Sequence, residues 1–360
     1  MRIGILTRRD GYNFGTSLQA FALFKSIQKF HEDVTVIDYS EYSLKARVRY
    51  SFLDIIGHLQ IPYLNAHKRY KQRKLFRHFD TKLKKTVDKF RYRIPNGWND
   101  GFDRIICGSD QIWNPTQKTG AFMLDFVSDN TKKIAYAPSL GMPNCVNAFK
   151  MSDIKLMKQF SYLSCREMDG SQIISDLTGQ PCVTVVDPTL LLSQSEWTDI
   201  ESNIRISEPF LLTYFLGPKY NYPIEIITRI AEMYNLRILN VCLPHYDEMP
   251  GITNLRCSPE EFIYLIHNAN LVCTNSYHGC VFSMIYNKLF YVFDRNYSIG
   301  GYSEKSRFYT LFKDTQLTAI PLSAKTIDDL PYDNIDYEHI NKIIETRKER
   351  SINYLNESLC

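Results

Sequence analysis

Short apolar runs alternate with amphipathic stretches along nearly the whole chain, which is the rhythm of an α/β protein with parallel sheets. Residues 3–6 form a short strand, and residues 7–15 a loop. Leu18, Ala22, Leu23 and Ile27 then recur at helical steps, and residues 34–38 form a second strand, so the chain opens with a βαβ unit. Phe102-Asp-Arg-Ile-Ile-Cys-Gly-Ser-Asp-Gln-Ile-Trp-Asn-Pro115 is a strand that ends in a polar turn, and Ile134-Ala-Tyr-Ala-Pro-Ser-Leu-Gly141 is another. Residues 182–186 form a strand that stops at Asp187-Pro188-Thr189, and a linker near 193–207 follows. The alternation then restarts. Strands at 210–216, 237–242, 270–274 and 289–293 are separated by helices at 224–234 and 259–268 and by a helix beginning near His278. The pattern predicts two separate doubly wound domains that face each other across a cleft, at 1–195 and 205–335. A terminal helix in 336–360, carrying Ile340, Ile343, Ile344, Ile352 and Leu355, is placed to pack back across the junction.

Charge changes this picture in one place. Between residues 66 and 94 twelve lysines and arginines face only Asp80 and Asp88, a local +10 in a chain of net +4. Phe76, Phe79, Leu83, Val87 and Phe90 recur there at three- and four-residue steps, which predicts a basic helical insertion at about 64–95. Two readings stand: a solvated face over a local core, or attraction to an anionic partner such as an acidic membrane surface, a lipid-linked pyrophosphate or an acidic glycan. The modest net charge does not call for nucleic acid. Nine cysteines are scattered without a CxxC pair, mostly in apolar contexts, and read as reduced core residues of a reducing compartment. The first residues lack the apolar core of a signal peptide, and no apolar run reaches the roughly 18–20 residues of a membrane span. The expected location is the cytoplasm, with peripheral contact at the inner face of the membrane as a further expectation.

The candidate chemistry centres on Leu271-Val-Cys-Thr-Asn-Ser-Tyr-His-Gly-Cys-Val-Phe-Ser-Met284, where a buried strand breaks into small polar residues before helical spacing resumes. His278 falls at or just inside a helix start, beyond the carboxyl end of a strand, where open α/β sheets bind ligands and free N–H groups attract anions. An imidazole there suits proton transfer to a phosphorylated or carboxylated substrate, and a capping histidine is the alternative. Gly108 and Ser109 suit a tight turn, and Asp110, Gln111 and Asn114 could bind sugar hydroxyls while Trp113 stacks on a sugar face. The alternative is that Trp113 fills the core and Asp110 caps a helix. Gly11-Tyr-Asn-Phe-Gly15 puts glycines where the first helix begins without forming a dinucleotide fingerprint. No cluster with metal-ligand spacing, G-x-S-x-G elbow or P-loop is visible.

Asn13-Phe-Gly15 with Leu18-Gln-Ala20, Gly108-Ser-Asp-Gln-Ile-Trp-Asn-Pro115, Ala135-Tyr-Ala-Pro-Ser139, Asp187-Pro-Thr-Leu190 and Ser276-Tyr-His-Gly279 occur in an order that resembles the polysaccharide pyruvyl transferase family from about residue 3 to residue 312. The resemblance implies a GT-B-like fold of two Rossmann-type domains, the first on the acceptor side and the second on the donor side. It implies transfer of a pyruvyl group from phosphoenolpyruvate to a saccharide, polymeric or lipid-linked, as a cyclic ketal, with no cofactor. By this similarity His278 is catalytic and Arg166 matches the family's motif arginine; with Arg166, the residues Asn13, Gly15, Ser109, Asp110, Trp113, Ser276 and Gly279 are the expected substrate contacts. Better-known members carry arginine two residues before the histidine, where this chain has Ser276, so Lys305 or Arg307 in the loop 294–308 is expected to supply the missing anion contact. A GT-B glycosyltransferase using a nucleotide sugar and a non-catalytic partner in glycan biosynthesis are the competing expectations.

Overall fold

In the computed structural model the described residues are 1–9, 11–41, 66–98, 101–117, 120–217, 223–243, 248–293, 305–313, 315–317 and 335–360, with 52, 55 and 59. Two five-stranded parallel sheets carry the fold. The first contains β1 (Ile3–Leu6), β2 (Val34–Ser40), β3 (Lys85–Arg91), β4 (Arg104–Cys107) and β5 (Lys133–Ala135) in the order β3-β2-β1-β4-β5. A two-stranded sheet of β6 (Leu163–Cys165) and β7 (Cys182–Thr184) extends from it through a bridge between Ile134 and Tyr162. The second sheet contains β8 (Phe210–Tyr214), β9 (Arg237–Val241), β10 (Thr253–Leu255), β11 (Leu271–Thr274) and β12 (Leu289–Val292) in the order β10-β9-β8-β11-β12. Both orders reverse beside their first strand. Each sheet therefore has a switch point, between β1 and β4 and between β8 and β11, where doubly wound folds bind ligands.

The two Rossmann-like units are not insulated from each other: one apolar core runs through both. Helix α1 (Phe14–Gln28) is buried almost all round because it lies between the sheets. Its Phe14 stacks on Phe262 with ring centroids 4.5 Å apart and meets the edge of Tyr214 at 5.6 Å, so one apolar cluster runs from β1 to β12. The expected linker also takes part in packing. Ser193 and Glu196 form a capping box on the short helix Gln194–Thr198, whose fully buried Trp197 packs on Phe21 and Phe282. Removing a buried tryptophan costs about 3–5 kcal/mol, so Trp197 acts as a rivet between the halves.

The basic segment also departs from expectation. Helix α2 (Ala66–Asp80) ends at Asp80, and β3 then pairs in parallel with β2 at the sheet edge. Phe76, Phe79 and Leu83 are buried, whereas Val87 is 93% exposed, so the helical period does not continue past Leu83. Pairing with β2 gives this stretch backbone partners that a second basic helix would not supply to that edge. Much of its charge is used internally: Lys68 pairs with Glu248, Lys82 with Glu260, Lys84 with Asp33 and Lys85 with Asp80.

The terminal helix Tyr337–Leu359 does pack across the junction. At its start Tyr337 donates to the carbonyl of Lys288 in the second half. Near its end Tyr354 donates to the carbonyl of Ala135, 2.8 Å away, and Ser351 Oγ accepts from the Val186 N–H in the first half.

Candidate active site

Beyond β11 the chain turns through Asn275 and Ser276 into α3 (Tyr277–Ile285). The Ser276 hydroxyl caps this helix by accepting from the Gly279 N–H, so that N–H is already used and Ser276 is a structural cap. A Cβ at Gly279 would collide with Thr274 Oγ1, which explains the glycine. His278 stands in the first turn, 7% exposed, and its ring presses on the backbone of Gly15 so closely that a Cβ at Gly15 would collide with Nδ1. Asn13 caps α1 by accepting from the Thr16 N–H. The imidazole of the second half is thus seated on the helix start of the first.

Asp187 approaches from the other side, held in the turn at Pro188–Leu190, where Thr189 donates to it through its N–H (3.0 Å) and hydroxyl (2.7 Å). His278 Nε2 lies 3.5 Å from Asp187 Oδ2 and makes no hydrogen bond within the usual criteria. Arg166 donates from Nη1 to Asp187 (2.7 Å) and from Nε to Glu167 (3.2 Å), and its guanidinium covers the Tyr277 ring at 4.3 Å. Burial opposes a charged Asp187, but His278 and Arg166 outweigh it and hold the carboxyl well below the usual carboxylate range. Burial likewise opposes the Arg166 charge, yet Glu167, Tyr277, Asp187 and Asp110 hold that group above its ordinary value. Asp110 Oδ2 accepts from the Thr16 hydroxyl at 2.8 Å. Against burial, Arg8, Arg166 and His278 lower its pKa as well.

The structure therefore gathers Asn13, Gly15, Asp110, Arg166 and His278 around one place. Arg166 sits inside this cluster, with one nitrogen, Nη2, lacking a hydrogen bond, and is not an open anion clamp. Ser109 is buried and donates to the Ala137 carbonyl, so its hydroxyl is occupied. The stacking role of Trp113 is corrected: the ring is fully buried against Phe160 and its N–H donates to the carbonyl of Phe122, which leaves no face for a sugar. Arg307 lies in the helix Lys305–Phe312, so the loop expected at 294–308 is helical where it is described. It is buried, and its charge acts on Tyr277 and Cys280. The side chain of Lys305, like residues 294–300, lies outside the described residues.

Sequence reasoning missed Thr16, Glu167, Asp187 and Tyr277 as members of the cluster. Asp187-Pro-Thr-Leu190 marks a turn and carries part of the family resemblance, but neither reading gives Asp187 a place beside the histidine. Among the described residues no group of three His, Cys, Asp or Glu is arranged to hold a metal ion, and no helix is long and apolar enough to cross a membrane.

The sequence model of the polysaccharide pyruvyl transferase family matches residues 13–297, a span that contains every member of the cluster. The chain belongs to this family. A search of curated proteins found no match. Among solved structures, the UDP-GlcNAc 2-epimerase of Methanocaldococcus jannaschii in complex with UDP-GlcNAc and UDP is similar, with 13% identity over 99% of this chain and 100% of that one and a TM-score of 0.52. The UDP-GlcNAc 2-epimerase of Neisseria meningitidis bound to UDP-GlcNAc has 10% identity over 100% and 99% and a TM-score of 0.53. At such identities the likeness establishes the fold alone. It is a GT-B arrangement of two Rossmann-like units, and this pyruvyl transferase family member places its histidine between them.

Proposed function

We propose that the protein transfers the pyruvyl group of phosphoenolpyruvate to two hydroxyls of a saccharide, closing a cyclic ketal and releasing inorganic phosphate. The observation that carries this reading is His278, a buried imidazole between the two halves whose Nε2 has no hydrogen bond and faces the carboxylate of Asp187 at 3.5 Å. An imidazole so placed can both give a proton to a substrate and take one from it. In the proposed reaction, His278 gives a proton to C3 of the donor, and the first hydroxyl adds to C2. The C2–O bond to phosphate then breaks, the second hydroxyl adds to C2, and its proton leaves with the imidazole or the phosphate. Two hydroxyl protons are lost; one restores that given to C3 and the other accompanies the phosphate. Asp187 steadies the protonated ring, and Arg307 with the unbonded Nη2 of Arg166 supplies positive charge toward the donor's anionic groups.

Incubation of the chain with phosphoenolpyruvate and candidate saccharides tests this. Mass spectrometry should show acceptors gaining a pyruvyl ketal with one phosphate released per product, and phosphate without product would overturn it. Because the structural neighbours named above are solved with UDP-GlcNAc, a nucleotide-sugar reaction is the second reading. Thermal stabilisation by UDP but not by phosphoenolpyruvate would favour it.

A further inference from the structure

The helix Lys305–Phe312 carries Arg307 and lies, like the terminal helix, beyond residues 13–297 matched by the family model. With eight residues it is short, and isolated helices below about 12–15 residues are marginal, so its place comes from what it is fastened to. The last four carbonyls of a helix have no partner within it. Here the chain that follows meets two of them: the Lys313 N–H donates to the Tyr309 carbonyl at 2.8 Å and the Thr315 N–H to the Phe312 carbonyl at 3.0 Å. The other two, of Thr310 and Leu311, accept from Nη1 of Arg347 in the terminal helix at 3.0 and 3.2 Å, and Arg347 Nη2 donates to the Lys313 carbonyl at 2.6 Å. A guanidinium at this end also complements the negative pole of the helix dipole.

We propose that Arg347 is a positioning residue that, by fastening this helix, holds Arg307 toward the anionic groups of the donor. The assignment rests on the phosphoenolpyruvate reaction proposed above, in which Arg307 supplies charge to that donor. Further contacts lead from Arg347 to the site. Thr310, whose carbonyl it takes, accepts through Oγ1 from the Met168 N–H at 3.1 Å, two residues beyond Arg166. Phe308, next to Arg307, has its ring centroid 6.2 Å from that of Tyr277, and Tyr277 lies under the Arg166 guanidinium. Ser351, one turn beyond Arg347 on the same face of the terminal helix, accepts from the Val186 N–H at 2.9 Å, and Val186 precedes Asp187. One face of one helix thus holds both the helix that carries Arg307 and the strand end that leads into Asp187. It sets the spacing between a cation of the second half and the carboxylate of the first half that faces His278.

The test is calorimetric and kinetic titration of the full chain with phosphoenolpyruvate, on the native protein, Arg347→Ala, Arg347→Lys, Arg307→Ala and the double variant Arg307→Ala/Arg347→Ala. Arg347→Ala should raise the dissociation and Michaelis constants for phosphoenolpyruvate about tenfold with kcat within about twofold of native, because Arg307 gives up part of a charge-assisted contact while His278 stays in place. Arg347→Lys should recover part of the loss, since an ammonium group can still donate to these carbonyls without the guanidinium's fork. The double variant should bind the donor no more weakly than Arg307→Ala alone, because the effect of Arg347 passes through Arg307. Unchanged donor constants in Arg347→Ala, a fall in kcat alone, or effects that multiply in the double variant overturn the assignment. Circular dichroism checks the fold of each variant. Hydrogen exchange at the amides of residues 308–313 reads the fastening separately and should quicken in Arg347→Ala. Faster exchange in a protein whose native form binds no phosphoenolpyruvate removes the reaction and the donor role and leaves the fastening standing. Unchanged exchange with native donor binding intact removes the fastening and leaves the reaction standing.

Discussion

The two switch points share a strand order but not a chemistry. At the first, Gln19 from α1 closes the gap between β1 and β4 by bonding Thr7, the Arg8 carbonyl and the Ser109 N–H, and charged groups gather just outside it: Arg8, Asp110, Arg166 and Asp187. At the second, Asn275 bonds the Leu216 backbone through both its amide atoms and Thr274 donates to the Tyr214 carbonyl, and the group presented beyond them is the imidazole of His278. Each crevice is sealed by a buried side chain that satisfies backbone groups the strands leave open. The sheets supply the place, and the residues after them supply the function. A charged cluster on one side meets a single imidazole from the other.

Substituting the imidazole should break this division most severely. His278→Gln is expected to lower turnover about 10²–10⁴-fold while circular dichroism stays unchanged. Wild-type turnover in the folded variant would remove the assigned role.

Asp187→Asn attacks the charged side. It leaves Arg166 with part of its compensation gone in a buried place, which is expected to lower stability by about 3–5 kcal/mol, read by urea unfolding. Because the Asp187 pKa is lowered in the folded state, its contribution is complete above the ordinary carboxylate pKa of about 4 and is lost as pH falls below it. The native protein should therefore lose stability on acidification over a range in which Asp187→Asn changes less, and parallel pH profiles would contradict the ionised assignment.

Arg307→Ala sharpens the comparison by asking whether the second side supplies donor contacts as well as the proton carrier. The expected outcome is a 10- to 100-fold rise in the Michaelis constant for phosphoenolpyruvate, and unchanged donor kinetics would assign that contact elsewhere.

The smallest effect is expected from the basic segment, a region of the first half away from the imidazole. If its exposed charges draw the protein to an acidic surface, each contributes on the order of 1 kcal/mol, and sedimentation with anionic liposomes should fall as salt is raised. Replacing Lys82, Lys84, Lys85 and Lys89 by Gln should weaken it only in part, since the first three already hold carboxylates. Equal sedimentation with neutral vesicles would return the segment to a structural role.

Periodicity alone was enough to place most elements of both sheets, because buried parallel strands must be apolar and the helices between them must carry an apolar stripe. The helix Pro259–Asn268, the strand at β11 and the helix Tyr337–Leu359 were legible to within a residue. Strands that owe their existence to a neighbour were not: β3 was read as helix because basic residues with spaced phenylalanines fit a helical face, and β10 has only half-buried residues and no apolar run. His278 was legible because a lone imidazole after a buried strand stands out. Thr16 meets Asp110 94 residues away, Asp187 meets Arg166 21 residues away and Glu167 meets Ser139 28 residues away, pairings that local spacing does not announce. The sequence determined which segments become strands and helices, since that depends on local spacing. Tertiary structure decided which charges meet, that Trp113 is core, that Gly15 admits His278, and that the halves share one apolar cluster, because burial and electrostatic pairing exist only once distant surfaces are in contact.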